Sequence, residues 1–217
     1  MENKKILVIT AHPDDEILGV GGTLCKHISK GDIVNVCIVT NAYGPKWSKA
    51  YIKNKIKEQK KVDEFLGIKR RINLDLPTVK LNTLPCGELN KKITDVIEKI
   101  RPDIVYTHYE HDLNYDHTLV FRACMVATRP VKRKTRLMCF ETLSETEWGY
   151  KTFRPNVWVD ITKFVDKKIK AFKIYKSEVK LHPHPRSEEG IRILAKKRGA
   201  EALMKYSEGF ILLKDYW

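Results

Sequence analysis

The 217-residue chain is poor in cysteine, short of acid relative to base, and without a long apolar run. Its cysteines, Cys25, Cys37, Cys86, Cys124 and Cys139, are five in number and widely spaced, with no Cys-x-x-Cys pair. That argues against a disulfide framework or a thiolate zinc site and makes a reducing cytoplasm the expected setting. No apolar stretch reaches the eighteen or so residues of a membrane span, and no basic-then-apolar leader opens the chain. Neither a transmembrane segment nor a signal peptide is therefore expected. Repeats, linkers and low-complexity tracts are absent too, so one domain over residues 1–217 is the expectation at this length.

The shortage of acid is marked: 27 Asp and Glu stand against 41 Lys and Arg, a net charge of +14. Such a surplus favours encounter with anions. The basic clusters, Lys69-Arg70-Arg71, Lys132-Arg133-Lys134 and Lys167-Lys168, are scattered, and no aromatic-rich stripe accompanies them. They read as mostly solvated helix faces and loops, and nucleic acid is not an expected partner. A nucleic-acid-binding domain would have the charge surplus as its only support, and steep salt dependence would be its signature.

What is present is an alternation of apolar strands and helical patterns. Strands are predicted at Ile6–Thr10, Ile33–Thr40, Ile72–Leu76, Ile104–His108 and Leu137–Thr142. Between them, 50–66 closes at Gly67, and 86–100 lines up Leu89, Ile93, Val96, Ile97 and Ile100 on one helical face. This spacing predicts βαβ units and a mostly parallel sheet covered on both faces. After Trp148 the pattern changes: a strand at Val157–Ile161, a helix marked by Val165, Ile169 and Phe172, a turn at His182-Pro183-His184-Pro185, a helix over about 187–206, and a strand at Gly209–Leu213.

Two strand ends carry unusual chemistry. Ile6–Ile9 runs into Ala11-His12-Pro13-Asp14-Asp15-Glu16, and Ile104–His108 runs into Tyr109–His117, so that three of the chain's seven histidines fall within the ten residues from His108 to His117. Open parallel sheets bind ligands beyond the carboxyl ends of their strands. Asp and Glu in a first helical turn also complement the helix dipole, which accounts for Asp15 and Glu16 but not for His12 or the pair Asp14-Asp15. Two matched His and Asp clusters at equivalent strand ends fit a mononuclear metal site with an open position for water. Gly19, Gly21 and Gly22 in the helix that follows each cost about 1 kcal/mol against Ala and imply close packing there.

The residues resemble the PIG-L/LmbE-type zinc-dependent deacetylases. Residues 11–16 match that family's first motif throughout, and Asp116-His117 match the end of its second. Glu58 before Leu66-Gly67, Arg101-Pro102-Asp103, Glu145-Thr146-Glu147-Trp148, Asn156 with Asp160-Ile161-Thr162, and His184-Pro185-Arg186-Ser187 resemble further family segments, so the likeness spans nearly the whole chain. The resemblance implies a Rossmann-like three-layer α/β sandwich. It also implies His12, Asp15 and His117 as metal ligands and Asp14 as general base. The implied reaction is hydrolysis of an N-acetyl group on an amino sugar to free amine and acetate. The chemistry agrees, because zinc lowers the pKa of its bound water to about 7 and a neighbouring carboxylate can carry the proton, worth about 10²- to 10⁴-fold. Asp116 is expected to steer a polar side chain or an imidazole tautomer. Iron could replace zinc in such a His-Asp-His site.

One position departs from the family pattern. Many members carry His three residues before the ligand His, where this chain has Asn114, which can donate a hydrogen bond to an oxyanion but no proton near neutral pH. Either His111 or His184 supplies the missing imidazole, or Asn114 suffices and Asp14 carries all proton traffic. The departure also leaves room for a sugar- or nucleotide-binding protein of the same fold with weak or no hydrolysis. Arg186 is expected to grip a phosphate or carboxylate bidentately, and Trp148, Trp47 and Tyr43 to stack on a sugar ring. Together with the basic balance, these residues point to an anionic carrier of the amino sugar: a nucleotide, a lipid or a growing glycan. A homo-oligomer is compatible with the sequence but not legible in it.

Overall fold

The computed structural model describes residues 3–217. One seven-stranded sheet, ordered β3-β2-β1-β4-β5-β7-β6, organises them. Its strands are β1 (Lys5–Thr10), β2 (Ile33–Asn41), β3 (Arg70–Pro77), β4 (Ile104–His108), β5 (Arg136–Phe140), β6 (Val157–Asp160) and β7 (Ser207–Lys214). The first five pair in parallel; β7 runs antiparallel between β5 and β6. The helices are α1 (Asp15–Ser29), α2 (Lys49–Leu66), α3 (Cys86–Ile100), α4 (Tyr115–Ala127), α5 (Val165–Phe172) and α6 (Glu188–Ala200).

The three layers follow from the β1 sequence. Ile6 and Val8 enter a core shared with α1, α2, α5 and α6, while Leu7 and Ile9 enter a second core with α3 and α4. A strand apolar on both faces needs helices on both, which is the α/β sandwich that the sequence predicts. The five α3 residues named above are all buried, and Gly67 caps α2 at φ 89°. Close packing of α1 is met as well. A Cβ at Gly19 would lie 2.1 Å from the Phe140 ring, and one at Gly22 would lie 2.8 Å from Ile161.

One expectation needs correction. The last helix ends at Ala200, not 206, because the chain turns back on itself there: Ala202 and Met204 N–H both donate to Gly199 O, and Leu203 takes φ 54°. A Cβ at Gly199 would lie 2.4 Å from Met204 O, so only glycine permits the turn. Within the basic clusters two side chains turn inward, Arg71 between Glu16 and Asp63 and Lys168 against Glu208. All five cysteines are free thiols, four of them buried. No helix among the described residues is long and apolar enough to cross a membrane.

β1 is where the topology places a site. The chain leaves it toward β2 and β3 on one side and reaches β4 and β5 on the other. Loops diverging from neighbouring strands open a crevice at their carboxyl ends.

Candidate metal and catalytic site

β1 ends at Thr10, and the chain turns sharply before α1. Asp14 holds that turn at φ 119°, a conformation that a side-chain-bearing residue adopts only when its surroundings impose it. Glu16 helps to impose it: its Oε2 accepts Asp14 N–H at 2.9 Å. Glu16 is fully buried and is pinned in turn by Tyr175 Oη at 2.6 Å and Arg71 Nη2 at 3.0 Å. The motif's glutamate is therefore a brace.

Across the crevice, β4 ends at His108, and α4 begins beyond Asn114, whose Oδ1 caps it by accepting Asp116 N–H at 3.1 Å. The cap places Asp116 and His117 in the first turn, facing the end of β1. His12 Nδ1 and His117 Nε2 are 3.1 Å apart. Asp15 Oδ2 lies 3.4 Å from the first and 3.3 Å from the second. Tetrahedral ligands about 2.1 Å from a cation stand roughly 3.4 Å from one another. The triangle has the size of a metal's coordination face, and two imidazoles with a carboxylate are a zinc- or iron-type donor set.

The electrostatics point the same way. Burial alone would depress both imidazoles; instead hydrogen bonds accepted by Asp116 and Asp15 lift His12 to about 9, and the carboxylates of Asp15 and Asp112 lift His117 to about 10. Burial would raise Asp15, yet the His117 imidazole holds it well below the carboxylate range. The cluster has a field that favours positive charge, and a cation would displace those protons.

Each ligand imidazole is backed by a carboxylate. Asp116 Oδ2 accepts from His12 Nε2 at 3.2 Å and from Val79 N–H at 2.7 Å, which leaves Nδ1 turned toward Asp15 and His117. Asp112 Oδ1 lies 3.2 Å from His117 Nδ1, a charge contact too poorly aligned to satisfy that nitrogen as a hydrogen bond. Asp116 touches His12 and does not line the cleft, so what it does at the site runs through the orientation of that imidazole. His108, to which the sequence reading gave no role, stacks on His117 at 3.7 Å and 13°. Its Nε2 accepts Ala11 N–H at 2.9 Å, and burial, with His117 nearby, depresses it to about 4. It is a neutral shelf under a ligand.

A cleft of about 210 Å³ opens on the triangle, lined by His12, Asp14, Asp15, Trp47, Asn114 and Arg186 among others. Asp14 is buried beside the ligands. Burial pushes its carboxyl well above the usual range, and Arg186 Nη1, at 3.1 Å from Oδ2, opposes that push. Arg186 is where the sequence placed it, but its donors are committed. They reach Asp14, Glu178, Glu145 and Ser144, so the guanidinium holds carboxylates of the cleft and is not a free anion clamp. Three expected contacts stand outside. His111 sits beside Glu110 and Lys151, His184 Nδ1 accepts Arg186 N–H, and Trp148 packs edge-on against His184. None of the three lines the cleft, so neither imidazole stands in for the absent one. Trp47 does line it, with Tyr43 packed behind at 5.5 Å.

Sequence reasoning missed Lys55 and Glu178, an ion pair in the cleft wall. Their 123-residue separation leaves no contiguous pattern to detect. His108 could have been found, as the last residue of an apolar strand that leads into the second cluster.

Comparison with known proteins agrees with this construction. The family described as GlcNAc-PI de-N-acetylase, PIG-L, matches residues 7–128, and the chain belongs to it. A diacetylchitobiose deacetylase of Thermococcus kodakarensis is 29% identical over 220 residues, covering 95% of this chain and 82% of that protein. Among solved structures, the conserved protein TT1542 of Thermus thermophilus superposes with a TM-score of 0.81 at 26% identity, covering 99% of this chain and 97% of the other. GalB, the 4-carboxy-2-hydroxymuconate hydratase of Pseudomonas putida KT2440, shares the fold at a TM-score of 0.77 and 20% identity, with 99% and 98% covered. That last likeness shows that the fold alone does not name the reaction.

Proposed function

We propose that the protein is a metal-dependent N-deacetylase that hydrolyses an N-acetyl group on an amino sugar, releasing acetate and a free amine. The observation that carries this reading is the donor triangle of His12 Nδ1, Asp15 Oδ2 and His117 Nε2, with sides of 3.1–3.4 Å beside a buried acid outside the triangle. These three residues would hold a divalent cation, zinc or iron; when bound it supplies Lewis acidity that sharpens a water and polarises the acetyl carbonyl. Asp14 takes the proton of the attacking water as the new C–O bond forms, then returns it to nitrogen as the C–N bond breaks. A carboxyl raised by burial suits both halves of that task better than an ordinary one. Arg186 keeps Asp14 aimed and partly ionised. Asn114, with Oδ1 committed to its cap, has its amide N–H₂ to offer a developing oxyanion.

The cleft is smaller than the roughly 300 Å³ at which drug-sized pockets begin. It suits one sugar ring, with the rest of the substrate outside. The test is acetate release from N-acetylglucosamine and diacetylchitobiose by metal-loaded protein, alongside His117→Ala. Release that disappears with the bound metal supports the reading; full metal occupancy without acetate from any N-acetyl sugar overturns it.

A further inference from the structure

A second concavity adjoins the cleft. It is a groove of about 700 Å³ between α2 and the stretch that runs from α5 to Ser177, and it shares Tyr51 and Lys55 with the cleft wall. Lys57, Lys61, Lys170, Lys173 and Lys176 line it, with Ile174 as its apolar contribution. Lys173 pairs with Glu188, and Lys55 is turned to Glu178. The other four, Lys57, Lys61, Lys170 and Lys176, have no carboxylate within ion-pairing distance among the described residues, and all are exposed. The two walls are tied together where Lys176 N–H donates to Glu58 Oε1 at 3.1 Å. Glu58 is the one carboxylate in the groove's lining, against six lysines counting Lys55.

We propose that the groove is a subsite for a diphosphate group carried by the acetylated sugar. This rests on the deacetylase reading above and extends it to the substrate's carrier. The α2 wall, from Asn54 to Lys61, spans about 10 Å at 1.5 Å per residue, room for two phosphoryl groups in line. Lysine ammonium groups are mobile point charges that suit phosphate oxygens, and several of them along one groove match an anion carrying more than one charge. Contiguity through Tyr51 and Lys55 lets one molecule place its sugar in the cleft and its anion between the helices. The cleft's own cations, Arg186 and Lys55, are neutralised by Asp14, Glu145 and Glu178, so the anionic portion has reason to lie beyond it.

The experiment compares the wild type with a variant carrying Lys57→Gln, Lys61→Gln, Lys170→Gln and Lys176→Gln. Calorimetry with inorganic pyrophosphate should show affinity in the wild type that falls at least about tenfold in the variant. With UDP-N-acetylglucosamine, KM should rise at least about tenfold in the variant while kcat holds, and kinetics on free N-acetylglucosamine should not change. Equal pyrophosphate affinity in the two proteins overturns the proposal. So does release of acetate from both sugars with the same KM in both proteins, which leaves the deacetylase reading intact. If neither sugar yields acetate, the deacetylase reading fails while lysine-dependent pyrophosphate binding still supports the subsite. Vesicles separate the sources: pyrophosphate-competed binding to a polyprenyl diphosphate supports a lipid carrier. Binding to phosphatidylglycerol alone that pyrophosphate does not compete overturns the subsite in favour of membrane docking.

Discussion

Two buried charge clusters flank α1, and they are built on opposite plans. Along its body, Glu208 accepts Gly22 and Thr23 N–H and the Lys168 ammonium, while Lys168 also donates to Leu18 O, all at 2.7–2.8 Å. Both charged groups are enclosed, and each has its hydrogen bonds made. At the start of α1, His12, Asp15 and His117 aim two nitrogens and an oxygen at one another. Asp14 sits strained and elevated beside them, and a cleft opens above. The closed cluster joins α1 to α5 and β7; in the open one Asp15 Oδ2 accepts His12 N–H at 2.8 Å, and the two imidazole nitrogens face each other below the cleft. Burial and charge are common to both, so neither marks function. What marks it is convergence of donors on a point that no protein atom satisfies.

Substitutions should separate the two plans. His117→Ala should lose bound metal and at least about 10³-fold in activity, the several kcal/mol that Lewis acidity supplies, with the fold kept; metal analysis and circular dichroism check this together. Asp14→Asn should lower kcat by about 10²- to 10⁴-fold while metal content stays full, since Asp14 is outside the triangle. In the closed cluster the signs reverse. Glu208→Gln should lower unfolding stability by about 3–5 kcal/mol in urea titrations, because it strands the Lys168 ammonium in the interior, and kcat per folded molecule should be unchanged. Asp116→Asn should weaken metal binding by about 10- to 100-fold through the orientation of His12, measured by competition with a chelator.

The smallest effect concerns pH at the scaffold end. Burial opposes it, but bonds from Trp158, Lys197 and Arg198 hold Glu201 at about 2 against its usual 4.5. Between those values the unfolded chain binds more protons, so this carboxylate's stabilisation is complete above about pH 4.5 and fades as pH falls toward 2. Glu201→Gln should therefore flatten that part of the acid-unfolding curve and leave activity at neutral pH alone.

The open cluster was more legible in the sequence than the closed one, and the reason is local. His12 to Glu16 act from one tight turn, so their types and spacing appear as a contiguous word. His117 is readable because helix capping by Asn114 fixes it near the end of an apolar strand. Glu208 and Lys168 are forty residues apart and look like ordinary surface charges. Nothing in Lys167-Lys168 tells which of the two turns inward. In the fold, β1, β2 and β5 are mainly apolar runs, whereas β3 at the sheet edge is interrupted by Asn73 and Asp75, and the partly exposed β6 and β7 carry a weaker signal, their pairing being set by tertiary contact. The substrate side was least legible. His111, His184 and Trp148 share the right loops but do not line the cleft, and loop membership does not specify direction. Lys55, Tyr51 and Glu178 meet only because α2 and the chain after α5 pack together.

The most direct test is anomalous diffraction from crystals grown with zinc, joined to metal stoichiometry in solution. The account predicts one ion per chain, about 2.0–2.2 Å from His12 Nδ1, Asp15 Oδ2 and His117 Nε2, with at least one coordination position free of protein. An ion bound elsewhere, or a zinc-loaded protein whose stoichiometry survives His117→Ala, would contradict it.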